Sequence, residues 1–336
     1  MNLFITISLF VVGLFLLIKG ADWLVEGASS IARRLGISNL VIGLTVVSFG
    51  TSAPELLVNI VASFQGSVDI AIGNIVGSNI SNTFLILGAT AIVTPLAIQK
   101  STVIKEIPFS LLASVMLLIM ANDMIIDGSE SSVLSRSDGL IFLGFFLIFI
   151  YYTFGMKRAS EEEKADEFTK AIRPLWKSWG MVIIGLFGLS FGANLSVQTA
   201  KEMALALGVS EALVGLTVVA IGTSLPELTA SMIAALKKKS DIAVGNIVGS
   251  NIFNVFWILG ISSLIKPLPF APKLNIDLEV MLGSAILLFV IVHNGHMHKR
   301  LFMWWKQKKD FILNRWEGGI LLACYIVYII TVGYRG

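Results

Sequence analysis

The chain has 336 residues, 55% hydrophobic and only 14% charged, with a mean hydropathy of +0.84. Soluble proteins carry about a quarter charged residues, so this composition excludes a soluble domain and marks an integral membrane protein embedded in a lipid bilayer. The net charge of +3 does not argue for nucleic acid, because the lysines and arginines are sorted by loop.

Apolar runs of about 17–25 residues read as membrane-spanning helices. Ten are predicted: 3–20, 38–63, 70–94, 104–121, 139–156, 179–200, 211–236, 242–265, 275–293 and 318–334. They are continuous apolar runs, not the alternating strands of a barrel. The first has no basic region before it and no clear cleavage site, so it is expected to be retained and not a signal peptide. The second holds Gly50-Thr51-Ser52-Ala53-Pro54-Glu55. Pro54 has no N–H and clashes with the carbonyl of Gly50, so a kink is expected there. Carbonyls freed in lipid are tolerated only where protein or a hydrated cavity satisfies them. Thr51 and Glu55, four apart, share a helical face.

In the third helix Asn74, Ser78 and Asn82 recur every four residues, and Gly73 and Gly77 allow close helix approach. Asp69 at its start is expected to be an N-cap. The stretch 157–178, rich in Glu, Lys and Asp, is too short for a folded domain and reads as a solvated connector. The sixth helix holds Gly180, Gly185, Gly188 and Gly192, which suit either a smooth sliding surface or ordinary close packing. The seventh repeats the proline motif from Gly222 to Glu227, including Thr223 and Ser224. The eighth repeats the amide stripe as Asn246, Ser250 and Asn254, with Asp241 again expected to cap. The segment from Gly295 to Trp316 carries His296, His298, Trp304 and Trp305 among lysines. It is expected to lie at the headgroup level and not to bind metal. Cys324 in the last helix has no partner for a disulfide and reads as a packing residue.

The repetition is the strongest signal. Gly43–Gly88 and Gly215–Gly260 superimpose without a gap at a shift of 172 residues, with roughly 28 of 46 positions identical. Each half contains five helices, and an odd number makes the second half enter the membrane the other way. The expected architecture is therefore an all-α membrane protein of ten transmembrane helices in two inverted-topology five-helix repeats. The first repeat spans 1–156, a cytoplasmic linker 157–178 and the second repeat 179–336. Lys and Arg divide about 19 to 5 between the two sets of loops. Basic loops stay cytoplasmic, so both termini are expected outside.

A charged side chain at the bilayer centre costs roughly 2.5–3.5 kcal/mol on insertion scales, so Glu55 and Glu227 call for a purpose. The bland alternatives are a glutamate at a helix end reaching water and a polar stripe that only packs helices. Two carboxylates together neutralise one divalent ion. Carboxylate, hydroxyl, amide and backbone oxygens, without Cys or His, suit hard cations such as calcium, and sodium takes oxygen ligands as well. No hydrolase or metalloprotease motif occurs in the spans, so an enzyme is not expected and no cofactor is implied.

With G-T-S-x-P-E and G-N-x-x-G-S-N each present twice, the chain resembles the cation/calcium exchanger superfamily in its sodium/calcium exchanger branch, as a minimal prokaryotic member. The resemblance covers the whole ten-helix plan. It implies a cluster of cation sites at mid-membrane with Glu55 and Glu227 as central ligands shared by calcium and sodium. Thr51 and Thr223 would add hydroxyl or carbonyl oxygens, and Ser52, Ser224, Ser78 and Ser250 would serve flanking sodium sites. Ser48 and Ala220 would supply backbone carbonyls, and Asn82 and Asn254 would complete the cage. Some relatives carry Asp at the position of Asn254, which leaves this chain two buried acids instead of three. Helices one and six would slide as a pair. The implied function is sodium/calcium antiport in a prokaryotic inner membrane, by a protein working as a monomer. The alternative is a calcium/proton antiporter on the same scaffold, and a channel would need a filter built around an axis.

Overall fold

A computed structural model describes residues 3–65, 68–155, 173–207, 222–293 and 311–335. Residues 157–172 of the predicted connector 157–178, the first part of the predicted helix 211–236 with Ala220, and the segment holding His296, His298, Trp304 and Trp305 lie outside the described residues; the end of the connector is already helical from Leu175.

The architecture is all-helical. Among the described residues, eight helices are long and apolar enough to cross a membrane: α1 (Phe4–Leu35), α4 (Ala71–Val93), α5 (Thr102–Met120), α6 (Arg136–Gly155), α7 (Leu175–Ala206), α9 (Ser240–Ile265), α10 (Pro272–His293) and α11 (Arg315–Arg335). A ninth span is the pair α2 (Asn39–Thr51) and α3 (Ala53–Gln65), bent by 46° where Pro54 interrupts the ladder. The shorter α8 is Leu225–Leu236.

The helix α1 continues well past the predicted end at residue 20. Asp22 and Glu26 do not stop it, because they pair with cations from elsewhere: Lys237 bridges Asp22 and Glu26, and Arg173 Nη1 lies 2.6 Å from Glu26 Oε2. The stop is Gly36, whose φ of +64 closes a helix-ending turn. Its N–H donates to Arg33 O and that of Ile37 donates to Ala32 O, which satisfies two terminal carbonyls.

The helices α1 and α7 pack along a seam of glycines. A Cβ on Gly20 would stand 2.7 Å from Gly185 O, and one on Gly192 2.8 Å from Gly13 O. Only hydrogen fits, and the two backbones come into direct contact. Gly13 and Gly20 are Gly185 and Gly192 displaced by the 172-residue shift, so this seam pairs each glycine with the other's counterpart. Gly188 also faces α1, whereas Gly180 has open space around it.

The same relation recurs at the ends. Leu96–Ala97 pairs antiparallel with Ile312–Leu313, and Val133–Leu134 with Leu268–Pro269. Glycines at the α4–α11 crossing (Gly88 with Gly318) and at the α6–α9 crossing (Gly139 with Gly260) bring those backbones within van der Waals contact. Thus the last helix of each half packs on the third helix of the other. Both α6 and α11 begin with a carboxylate that accepts from a cap residue's backbone N–H: Ser135 N to Asp138 Oδ2 at 2.8 Å, and Asn314 N to Glu317 Oε2 at 2.8 Å. An aromatic cluster fills the space between α5, α6 and α9, with Phe146 and Phe253 ring centroids 4.9 Å apart and Phe109 and Phe256 5.4 Å apart.

Candidate cation site

Each proline motif starts a half-helix. Glu55 lies in the first turn of α3 and Glu227 in the first turn of α8, where unpaired N–H groups and the helix dipole favour a negative charge. The glycines of the amide stripe let α9 press against the α2 side of the break. A Cβ on Gly245 would sit 3.1 Å from Leu40 O, and one on Gly249 3.0 Å from Leu44 O.

This approach joins the two halves at the acids. Ser52 Oγ donates to Glu227 Oε1 at 3.1 Å and shares a hydrogen bond with Ser250 Oγ at 3.0 Å. Thr51 Oγ1 donates to Asn246 Oδ1 at 3.0 Å, and Asn246 Nδ2 donates to Ser231 Oγ at 3.0 Å. The carboxylate of Glu55 lies within electrostatic reach of Glu227. Both are almost fully buried, 1% and 2% exposed, and neither points into bulk solvent.

A second junction lies between α4 and α9. Asn82 Nδ2 donates to Asn251 Oδ1 at 3.0 Å, and Asn254 Nδ2 donates to Asn79 Oδ1 at 2.9 Å. These two bonds are the same bond under the 172-residue shift. Asn251 Nδ2 also donates to Thr83 Oγ1 at 3.0 Å. Because the amide nitrogens of Asn82 and Asn254 are engaged this way, their orientation is fixed and their Oδ1 atoms are left over. The equal four-residue stripe expected on this face ends at π-helical turns, Ser81–Ile86 and Phe253–Leu259. Asn79 and Asn251 stand three residues before Asn82 and Asn254, a spacing that shares a helical face, and join them at the junction.

Four buried acceptor oxygens then have no protein donor: Glu55 Oε2, Glu227 Oε2, Asn82 Oδ1 and Asn254 Oδ1. Each unsatisfied buried acceptor costs about 1–3 kcal/mol, and more when charged. Paired acceptors from equivalent positions of both halves, two of them anionic, are what a desolvated hard cation requires. Among the described residues no cluster of three or more His, Cys, Asp or Glu exists, so the anionic charge of this centre is that of the two glutamates.

The remaining expected ligands divide unevenly. Ser48, Ser52, Ser78, Ser224 and Ser250 are all buried, and Thr51 is too, while Thr223 is half-buried. Ser224 Oγ has no hydrogen-bond partner. The Ser48 carbonyl already accepts from Ser52 N at 3.0 Å and from Thr51 Oγ1 at 3.4 Å. Ala220 lies outside the described residues. Asp241 is not an N-cap. The residue before the helix is Lys239, and Asp241 sits inside the first turn accepting from Gln99 Nε2 at 2.7 Å. The sequence reading assigned no role to Asn79, Asn251 or Ser231. The first two were detectable as asparagines repeated at the 172-residue shift.

Two buried carboxylates from separate halves, held among hydroxyls and free amide oxygens inside a polytopic helical protein, define a membrane carrier of hard cations. Comparison with known proteins agrees. The family model described as sodium/calcium exchanger protein matches residues 5–155 and 177–334, so this chain belongs to the sodium/calcium exchanger family. It is 38% identical to the putative antiporter CaxA of Alkalimonas amylolytica, over 94% of this chain and 95% of that one. It is 31% identical to the sodium/calcium exchanger MaX1 of Methanosarcina acetivorans, over 96% and 97%. The solved sodium-calcium exchanger NCX_Mj, soaked without sodium or calcium, superimposes with a TM-score of 0.79 and 34% identity, covering 98% and 99% of the two chains. The protein is thus a multi-pass membrane exchanger of the calcium/cation class.

Proposed function

We propose that the chain is an antiporter that exports calcium in exchange for entering sodium by alternating access. The observation that carries this is the pair of buried glutamates, Glu55 and Glu227, one from each repeated motif, each with a carboxylate oxygen that has no hydrogen-bond partner. In this reading the two glutamates bind either ion. Thr51 and Thr223 add oxygens, Ser52, Ser224, Ser78 and Ser250 serve flanking sodium positions, Asn82 and Asn254 present their Oδ1 atoms, and Ser48 and Ala220 present carbonyls. Two negative charges balance one calcium or a few sodium ions but not both loads, and that competition is the coupling.

The scaffold is read as ten helices in two inverted repeats, residues 1–156 and 179–336 about a cytoplasmic connector, with 211–236 forming the seventh span. The reciprocal glycine seams, strand pairs and asparagine bonds support it, since each maps onto its partner when the halves are exchanged. The protein is read as a monomer in a prokaryotic cell membrane with both termini outside. The test is calcium-45 uptake into sodium-loaded proteoliposomes, with lithium, potassium and protons substituted in turn. Uptake that requires internal sodium supports the proposal. Uptake driven by a pH gradient without sodium would establish calcium/proton antiport on this scaffold instead.

A further inference from the structure

Away from the glutamate pair, one acid has no visible purpose. Glu106 lies in α5, is fully buried, and is the only described residue with both carboxylate oxygens buried and without a hydrogen bond. The neighbouring Lys105 is exposed and forms no ion pair with it. Three hydroxyls of α5 and α6 are also buried without a hydrogen-bond partner: Thr102 Oγ1, Tyr152 OH and Thr153 Oγ1. Thr102 is one turn before Glu106 and its hydroxyl faces the carboxyl. Tyr152 of α6 stacks edge-on against Phe109, one turn after Glu106, at 5.8 Å, and its hydroxyl lies within electrostatic reach of the carboxylate with Thr153 beside it.

The backbone offers a second, independent sign. Among the described residues, three π-helical turns lie in the repeated motifs that carry the candidate ligands, at Gly43–Val47, Ser81–Ile86 and Phe253–Leu259, and a fourth is Thr102–Glu106. Such turns concentrate at functional positions because they release backbone groups from the α ladder. An ionised carboxylate buried without a partner is strongly unfavourable. The two carboxylate oxygens of Glu106 and the buried hydroxyls of Thr102, Tyr152 and Thr153 are all hard donors, and a hard cation matches them. One negative charge with neutral hydroxyls balances a single positive charge, whereas a divalent ion would leave an uncompensated charge in a dry interior.

The structure assigns Glu106, Thr102, Tyr152 and Thr153 to a separate binding site for a monovalent metal cation between α5 and α6, distinct from the transport cage. The experiment uses the full-length protein with Glu55→Gln and Glu227→Gln, which disables the cage, and measures equilibrium binding of sodium-22 in nanodiscs. One saturable sodium per chain is expected. Adding Glu106→Gln should abolish it, and adding Thr153→Val instead should weaken it about tenfold, the effect of one lost polar ligand, with an unchanged gel-filtration profile in each case. No saturable sodium binding in the double variant overturns the proposal. So does sodium binding that survives both additions, or a carboxyl at 106 that exchanges only protons, read by infrared difference spectra insensitive to sodium. Should Glu106→Gln fail to fold, the Thr153→Val result decides alone. Calcium flux of the unaltered protein is a different readout, so failure of the antiport reading would be seen separately.

Discussion

Replacing Glu227 by Gln removes one of the two charges from the cage while preserving its shape. The amide oxygen of Gln can still accept from Ser52, which bonds Glu227 Oε1 at 3.1 Å, so the junction between the halves survives. Glu55 Oε2 has no hydrogen-bond partner, so Glu55→Gln tests the charge with little structural disturbance. Two unit charges about 4 Å apart interact by roughly 4 kcal/mol at an effective dielectric constant of about 20, and a divalent ion doubles this. A large part is offset by the lower desolvation of a neutral side chain. If only a third of the doubled figure persists, calcium affinity still falls by about 100-fold, since about 1.4 kcal/mol is a factor of ten. Sodium-driven calcium-45 flux and calcium-for-calcium exchange in proteoliposomes should both drop to background in either variant, with normal gel-filtration behaviour. Exchange within threefold of the unaltered protein in either variant would remove that glutamate from the ligand set.

Three further outcomes rest on named contacts. Asn79→Leu takes away the acceptor that fixes Asn254 (2.9 Å) and strands a buried N–H, at a cost of about 1–3 kcal/mol. The melting temperature should fall by several degrees, and the affinity for ions should fall with it; an unchanged affinity would show that the amide orientation is irrelevant. Gly185→Val puts methyl groups where a Cβ alone already meets Gly20 O at 2.7 Å. Overpacking of this kind costs about 1–3 kcal/mol, and turnover should fall much more than equilibrium calcium binding; equal losses would argue against sliding of α1 on α7. Lys237→Ala releases Asp22 and Glu26 of α1 from the end of α8. Partly exposed pairs contribute about 0.2–1 kcal/mol, so apparent calcium affinity from one side of the membrane should shift by no more than about fivefold. A complete loss of transport would mean that Lys237 does more than bias the conformation.

Most of the helical plan could be read from the chain because a membrane leaves few options for a long apolar run. The errors have physical origins. The helix α1 runs to Leu35 because its acids find cations on Lys237 and Arg173, partners distant in sequence. The strand pairs at Leu96 and Leu134 are two residues long, too short to leave a period. No residue type announces the π turns, and a stripe read at four-residue spacing passes over Asn79 and Asn251, which share the face of Asn82 and Asn254 at a three-residue spacing. At the site, the proline motif, the bend and the burial of both glutamates were legible from the residue types. The bond pattern was not, because two nearly identical motifs predict two nearly identical environments.

That last difference bears on mechanism. Ser52 is bonded to Glu227 and Ser250, but its counterpart Ser224 has no partner. Thr51 is bonded to Asn246 and buried, but its counterpart Thr223 is only half-buried. A sequence written twice should be able to adopt the exchanged arrangement, with Ser224 bonded toward Glu55 and Ser78, at a similar free energy. The two arrangements are not equal, because the shift leaves some side chains without an equivalent: Lys237, which holds α1, corresponds to Gln65, which carries no charge. A gap of a few kcal/mol between such states is within what differential ion binding can reverse. On the proposed antiport reading, the repeat would supply the two conformations, the glutamates would make their balance depend on which ion is bound, and residues without a counterpart in the other half, such as Lys237, would set where the balance rests when no ion is bound.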